Sequence, residues 1–250
     1  MGQGDFTYWN YWLIITAVIF ARYFLIAGLS YYYFYHWKRD LWSSRKLQAY
    51  YPSKSQVKLE IRYSLSTLLI YSFGAWLFLY WMQNSLTLNY AEADQYVWGY
   101  LILSFFLMVL LHDAYFYWTH RLIHNRSLFQ RTHGIHHIFK NPTPWCAFAF
   151  HPLEAFLSMG IIPLIVFFVP WHYYAFIAFI SFMTLYDVYI HLGFELPGSE
   201  KEGLHNTTAL HDLHHEKVSG NYGLYFTFWD RLMGTYYPTN PRGANLQKGQ

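Results

Sequence analysis

The sequence predicts an all-α integral membrane protein of about four transmembrane helices, with a cytosolic helical cap that holds a polyhistidine dinuclear metal site. Three observations predict it: long apolar segments, basic residues gathered beside them, and closely spaced histidines. Only 12% of the 250 residues are charged, which is about half the usual share in soluble domains. Aromatic residues reach 23%, and Trp and Tyr favour membrane interfaces. The length fits one membrane domain, 1–250, and the net charge of +3 is too small to indicate a nucleic-acid partner.

The apolar segments set the order of the elements. A bilayer core needs about 20 mostly apolar residues per helix, and spans are therefore expected at 11–35, 64–82 and 96–118. The apolar region 155–190 is long enough for two helices, and Pro170 interrupts it, so we expect a helical hairpin in the membrane. The remaining segments are a cytosolic histidine-rich segment at 119–154, a C-terminal cytosolic histidine-rich segment at 191–237 and a flexible tail at 238–250.

The basic residues orient these spans. Seven lysines and arginines lie between Lys38 and Arg62, whereas the 83–95 loop carries acidic residues only, Glu92 and Asp94. The positive-inside rule places 38–62 in the cytoplasm and the N-terminus outside. All histidine clusters then face the cytoplasm, in a bacterial inner membrane or the endoplasmic reticulum. Arg22 lies inside the first span, and the sequence indicates no partner for it.

The histidines that could hold metal form three clusters: His120 and His124; His133, His136 and His137; and His211, His214 and His215. Residues four apart on an α-helix lie one turn apart on one face, so His120 and His124 can bind one ion. In H-x-x-H-H the adjacent histidines point in different directions. Each of the two H-x-x-H-H copies can therefore serve two ions.

Other residues are candidates by position. His191 follows the last apolar segment, and Asp187 lies one helical turn before it, where a carboxylate can orient an imidazole. His112 and Asp113 lie two turns before His120. His151 and Glu154 fit a helix start, with His151 as the cap. Expected outside the site are His36, His172 and His205.

The ligand types leave several functions open. Imidazole suits Zn, Cu, Fe and Ni, and the single cysteine, Cys146, excludes an intrachain disulfide. Nine histidines exceed the needs of one ion, so two redox metals acting with oxygen on an apolar substrate are the leading hypothesis. One alternative is a zinc-dependent membrane hydrolase, with Glu154 or Glu216 as its general base. Another is a metal transporter or sensor, which would need histidines lining a path through the spans.

Several segments resemble the fatty acid hydroxylase/sterol desaturase superfamily of membrane di-iron oxygenases, and within it the sterol C-5 desaturase-like branch. The resemblance covers residues 96–237. It is carried by the H-D-x-x-F-Y-W-x-H-R-x-x-H pattern from His112, the N-P-T-P-W-C-A-F-A-F-H-P-L-E segment from Asn141, the N-T-T-A-L-H-D-L-H-H segment from Asn206 and the G-N-Y-G-L-Y-F-T-F-W-D-R-L-M-G-T segment from Gly220.

This resemblance implies a four-helix membrane bundle, two iron ions (or zinc as found), O2 as co-substrate, and hydroxylation or desaturation of a sterol, fatty acyl or related lipid. Some members carry a histidine where this chain has Asp187. With no fused haem segment, electrons would come from a separate cytochrome b5-like, ferredoxin or reductase partner. The aromatic residues Tyr115, Trp118, Trp145, Phe148 and Phe150 could line an apolar channel or simply pack the helices. The resemblance implies metal ligation by His120, His124, His133, His136, His137, His191, His211, His214 and His215.

Overall fold

The computed structural model describes residues 8–90, 98–200 and 203–239, and most of these are helical. Residues 240–250 of the expected tail, and both Glu92 and Asp94, lie outside the described residues. The helices are α1 (Tyr8–Tyr32, continued by a π-helical turn at Tyr33–Trp37), α2 (Arg39–Trp42), α3 (Lys54–Gln83), α4 (Trp98–Ile123), α5 (Arg126–Phe129), α6 (Pro152–Met159), α7 (Ile161–Phe168), α8 (Tyr173–Ile190), α9 (Thr208–Lys217) and α10 (Phe228–Leu232). Short 3₁₀ turns lie at Ser43–Arg45, His133–Ile138 and Pro144–Phe148.

Four helices are long and apolar enough to cross a membrane: Trp9–Trp37, Lys54–Gln83, Trp98–Ile123 and Tyr173–Ile190. The shorter apolar stretch Pro152–Phe168 precedes the last of them and, with α8, forms a helical hairpin around Pro170. Many apolar side chains on these helices are exposed, among them Leu69 at 63% and Ile102 at 61%. Such a surface suits lipid rather than water, and the expected all-α membrane fold is confirmed.

Two helices extend past the apolar segments that indicated them. α3 begins ten residues before the expected start at Ser64, because Ser53 caps it by accepting a hydrogen bond from the Gln56 N–H at 3.2 Å. α4 continues to Ile123, which brings His120 into its last turn. Apolar windows end where polar residues begin, whereas a helix continues as long as its backbone hydrogen bonds do.

A two-stranded parallel sheet closes the end of the molecule that lies away from the histidines. β1 (Asn89–Tyr90) follows α3, and β2 (Trp171–His172) forms the tip of the hairpin. Asn89 pairs with Trp171, and the Trp171 N–H donates to the Leu88 carbonyl at 3.1 Å. The hairpin tip and the chain after α3 therefore lie at the same end, as the charge distribution predicts. The sequence did not indicate these strands.

At the opposite end, the basic segment pairs with the chain that follows His191. The Leu47 N–H donates to the Gly193 carbonyl at 3.1 Å, and the Glu195 N–H donates to the Arg45 carbonyl at 2.9 Å. The Arg45 guanidinium also contacts the Glu200 carboxylate at 2.7 Å. The basic residues and the histidines thus share one end of the bundle.

The helices pack around two apolar cores. One lies between α4, α7 and α8 and contains Met108, Ile165 and Phe179, and the other joins α1 and α3 through Tyr23 and Leu68. Arg22 projects from α1 beside the second core. Among the residues that the structure describes, the Arg22 Nε atom finds no hydrogen-bond partner.

A buried carboxylate ties α3 to the loop before the third 3₁₀ turn. Glu60 is fully buried and accepts hydrogen bonds from the Thr143 hydroxyl and from the Gln56 amide, the latter at 2.9 Å. Gln56 also donates to the Asn141 carbonyl at 2.8 Å, and Lys46 donates to the Asn141 side chain at 2.8 Å. This network fixes the 141–146 loop against the bundle.

We predict that Glu60→Ala lowers the free energy of unfolding by about 1–3 kcal/mol, because it leaves buried partners of the carboxylate unpaired. The measurement is thermal unfolding of the purified protein in detergent. Lys58→Ala is the matched control, since Lys58 lies on the same helix but is exposed. Equal unfolding temperatures for the two variants would contradict the role given to Glu60.

Candidate metal centre

The nine histidines implied as ligands gather at one end of the bundle in two groups. Within each group, every histidine offers one ring nitrogen that lies within 4.8 Å of the others. Rings of the two groups also touch, since the His137 and His215 centroids are 4.9 Å apart. The first group is His120, His124, His133, His137 and His214, and the second is His136, His191, His211 and His215.

Each H-x-x-H-H copy divides its histidines between the two groups. On α9, His211 and His215 enter the second group while His214 enters the first. The other copy gives His133 and His137 to the first group and His136 to the second. It is a 3₁₀ turn rather than the α-helix that its spacing suggests, so the His133 and His136 rings, three residues apart, stack at 5.0 Å.

Backbone carbonyls and a carboxylate set the ring orientation in the first group. The Nδ1–H of His120 donates to the Tyr222 carbonyl at 2.9 Å, and that of His124 donates to the Val218 carbonyl at 3.1 Å. His214 donates in the same way to the Gly220 carbonyl at 2.7 Å. The Nδ1–H of His133 donates to the Glu154 carboxylate at 2.5 Å. A neutral ring that donates from Nδ1 has a free lone pair on Nε2.

These Nε2 lone pairs point at one another. The Nε2 atom of His120 lies 2.9 Å from that of His133 and 3.2 Å from that of His124. In the second group, His191 donates from Nδ1 to the Asp187 carbonyl at 2.8 Å, and its Nε2 lies 3.0 Å from that of His211. Facing lone pairs repel unless a cation lies between them, so the donor set fits metal ions.

The environment keeps the imidazoles neutral, as metal ligation requires. Burial and the neighbouring His120 lower the pKa of His124 to about 2. Burial likewise holds the pKa of His136 and His214 well below the usual value, with further contributions from nearby imidazoles. Eight of the nine rings are buried, and His124 is half-buried.

The turn after α9 supplies three of the carbonyls that orient the first group. Val218, Gly220 and Asn221 all have positive φ, and Gly220 adopts this conformation without the cost that a side chain would add. The turn aims the carbonyls of residues 218, 220 and 222 at the rings. Sequence reasoning missed this role, although the Gly220-Asn221 pair is a recognisable signal for left-handed backbone.

His112 and Asp113 lie outside both histidine groups and hold the neighbouring loop. The Nδ1 atom of His112 is 2.9 Å from the Tyr225 hydroxyl. The Asp113 carboxylate accepts from the backbone N–H groups of Tyr225 and Phe226 at 2.8 and 3.1 Å. Both residues therefore position the segment that follows the 218–222 turn.

Of the remaining candidates, two contact ligand rings. Glu154 accepts from His133, and an Asp187 carboxylate oxygen lies 3.3 Å from the His191 Nδ1. The His151 side chain instead caps α6 by accepting from the Leu153 N–H at 3.2 Å. Three other histidines lie outside the two groups: His36 in the π-helical turn after α1, His172 on β2 and His205 in an isolated bridge to Phe226.

A cleft between α4 and α6 reaches His120 of the first group. It holds a cavity of about 30 Å³ whose buried inner wall includes His120 and Glu154. Half-buried side chains, Tyr115 on α4 and Leu157 on α6, line its outer part. Phe150 also lines it, whereas Trp145 and Phe148 pack against Tyr23 of α1 and Trp118 is exposed.

The fold and site define a membrane protein with a polyhistidine metal centre, and comparisons with known proteins narrow this class. A family model described as fatty acid hydroxylase matches residues 105–235. The chain is 30% identical over 221 residues to a Delta(7)-sterol 5(6)-desaturase of Gibberella zeae, covering 88% of this chain and 66% of that protein. It is 31% identical over 229 residues to the lathosterol oxidase of Homo sapiens, covering 90% and 74%. No solved structure matches the chain.

The chain therefore belongs to the fatty acid hydroxylase family, as its motifs suggested, and is an oxidoreductase of that type.

We predict that His214→Ala lowers the metal content of the purified protein, because it removes one ring from a set of converging lone pairs. His151→Ala is the control and should retain the wild-type content, since His151 caps a helix instead. Metal per chain is measured by elemental analysis after identical purification. Full metal content in His214→Ala would remove that residue from the site.

Proposed function

We propose that the protein is a membrane di-iron oxygenase that uses O2 and external electrons to hydroxylate or desaturate a lipid. One observation carries the proposal: nine imidazoles converge in two groups at one end of a bundle of four membrane-length apolar helices, and one of them, His120, lines the cleft between α4 and α6. The names of the relatives, sterol desaturase and lathosterol oxidase, favour a sterol as the lipid.

Two ions suit the ligand set better than one. Groups of five and four histidines each supply enough nitrogen donors for an ion and leave room for a further ligand. Bound iron would supply the redox chemistry that activates O2 toward an unreactive C–H bond. The chain would hold nine neutral rings in place, orient five of them through Nδ1–H donation and keep the cleft free of bulk water.

The alternatives find less support. A zinc hydrolase is disfavoured because the relatives are named as a sterol desaturase and a lathosterol oxidase, and one of its two candidate bases, Glu216, is exposed. A transporter would place histidines along the spans, whereas both groups gather at one end of the bundle. The basic residues at that end support a cytoplasmic orientation for the site.

The decisive test measures metal content and oxygen uptake together. We expect the purified protein to contain iron and, after anaerobic reduction and exposure to O2, to consume oxygen only when a lipid substrate such as a Δ7-sterol is present. Two zinc ions and no oxygen consumption with any lipid would refute the proposal and favour hydrolysis.

The separate electron donor would dock over Phe129. This ring lies 5.3 Å from that of His124, the half-buried ligand, and 5.6 Å from that of His137. Exposed cations lie close to it in sequence, since Arg126 and Arg131 are within three residues of Phe129, and the Lys140 ammonium donates to the His215 carbonyl at 2.9 Å. A donor with an acidic face would be steered to this surface. The cations are Arg126, Arg131, Lys140 and Lys217.

We predict that the double variant Arg126→Glu and Arg131→Glu slows reduction by a soluble cytochrome b5 domain about ten-fold at low salt, because it reverses the steering charge. Reduction by dithionite should not change. The control is Lys54→Glu with Lys58→Glu, which makes the same change of net charge on α3. Equal slowing in both double variants would place the donor elsewhere.

A further inference from the structure

We infer that the inner end of the cleft binds the hydroxyl group of a lipid alcohol, and that Glu154 accepts the hydrogen bond. The inference rests on the proposed function and adds the class of substrate to it. Glu154 would then be the residue that selects a hydroxyl-bearing lipid, such as a sterol, over an acyl chain.

The first observation is an unpaired buried oxygen. Glu154 is only 5% exposed, and its Oε1 atom accepts from His133. The His151 N–H faces the same carboxyl group. Even so, the buried Oε2 atom accepts no hydrogen bond from any residue in the described part of the chain. A carboxylate oxygen that is buried and unpaired costs free energy, so this atom is suited to a donor that the protein does not supply.

The second observation is that the other polar groups of the cavity are already engaged. The Thr119 hydroxyl donates to the Tyr115 carbonyl at 2.8 Å, and the Ser158 hydroxyl donates to the Ala155 carbonyl at 2.9 Å. The cavity of about 30 Å³ exceeds the roughly 10–15 Å³ that a cavity needs to hold one water molecule. A hydroxyl group fits there, while the bulk of a lipid must remain in the outer cleft.

The third observation is the closeness of this oxygen to the metal centre. Glu154 contacts the ligand His133, and His120 lines the same cavity. The Gibberella zeae relative is named for the 5(6) bond of a sterol. Only one carbon separates that bond from the carbon that bears the sterol hydroxyl. A substrate attacked there brings its hydroxyl close to the reacting atoms.

An acyl chain attacked in its middle brings no polar group to this position. It would leave Oε2 unpaired and displace any water that had satisfied it. A site built to hydrogen-bond a substrate hydroxyl rejects analogues that lack it, because its own buried group is then unpaired. The unpaired oxygen thus favours an alcohol.

The test measures binding without turnover. Zinc-loaded protein in lipid nanodiscs is titrated with a Δ7-3β-hydroxysterol and with its 3-O-methyl ether, which cannot donate, by displacement of the radiolabelled sterol. We expect the alcohol to bind about ten-fold more tightly than the ether, as a hydrogen bond to a buried and otherwise unpaired acceptor would produce. Equal affinities would overturn the inference, since they would mean that Oε2 holds water only.

Glu154→Gln sharpens the test. The Gln oxygen must face the His133 N–H, so its NH2 group takes the place of Oε2 and turns an acceptor into a donor. Both the alcohol and the ether can accept from it, so we expect the preference for the alcohol to disappear. Ser158→Ala, in the same cavity, should keep the preference. A preference retained in Glu154→Gln would also overturn the inference.

Failure of this inference is distinguishable from failure of the proposed function. If iron-loaded protein consumes oxygen with a fatty acyl lipid but binds the sterol and its ether equally, the oxygenase proposal stands and the substrate class is wrong. If Glu154→Gln does not fold, the comparison of alcohol and ether on the wild-type protein decides alone.

Discussion

The structure depends on one constraint, the convergence of imidazole lone pairs in a buried space. Four of the nine rings are held with Nε2 toward a common point because their Nδ1–H donates to a backbone carbonyl, that of Asp187, Val218, Gly220 or Tyr222. Carbonyl oxygens accept and never donate, so each contact also settles which nitrogen keeps its proton. The backbone thus sets the protonation of the ligands before any metal is bound.

The helices position the histidine rings, and an irregular turn orients several of them. The helices α4, α8 and α9 carry six of the nine histidines or hold them at their ends, where packing in the bundle fixes their positions. The irregular 218–222 turn lies against them and is itself anchored: the Asp230 carboxylate accepts from the N–H groups of Tyr222 and Gly223 at 2.9 and 2.8 Å. Asp113 holds Tyr225 and Phe226 in the same way. Carboxylates that bind no metal therefore determine where the ligand rings point.

Sequence reasoning predicted the parts of this design that leave a periodic or chemical signal. Apolar length indicated the spans, clustered charge indicated which ends share a side, and histidine spacing indicated the ligand set. It missed what depends on contacts between distant segments. Glu60 meets Thr143 across 83 positions, and the carbonyl of Tyr222 meets His120 across 102, and no local pattern encodes such pairs. The 3₁₀ geometry at His133–Ile138 was missed for a related reason, because tertiary packing overrides the spacing that suggested an α-helix.

The last turn of α4 gives the metal centre two distinct sides. His120 lines the cleft between α4 and α6, whereas His124, one turn later, is half-buried and contacts Phe129, which lies within three residues of the exposed Arg126 and Arg131. An apolar substrate and a charged redox partner need opposite surroundings, since one partitions into hydrocarbon and the other is steered by charge in water. A helix that ends at the membrane boundary can place ligands at positions i and i+4 in these two surroundings, because the two positions are separated by about one turn, or about 5.4 Å of rise. The Nε2 atoms of His120 and His124 are 3.2 Å apart. The ring on the substrate side and the ring on the donor side therefore belong to the same group of histidines.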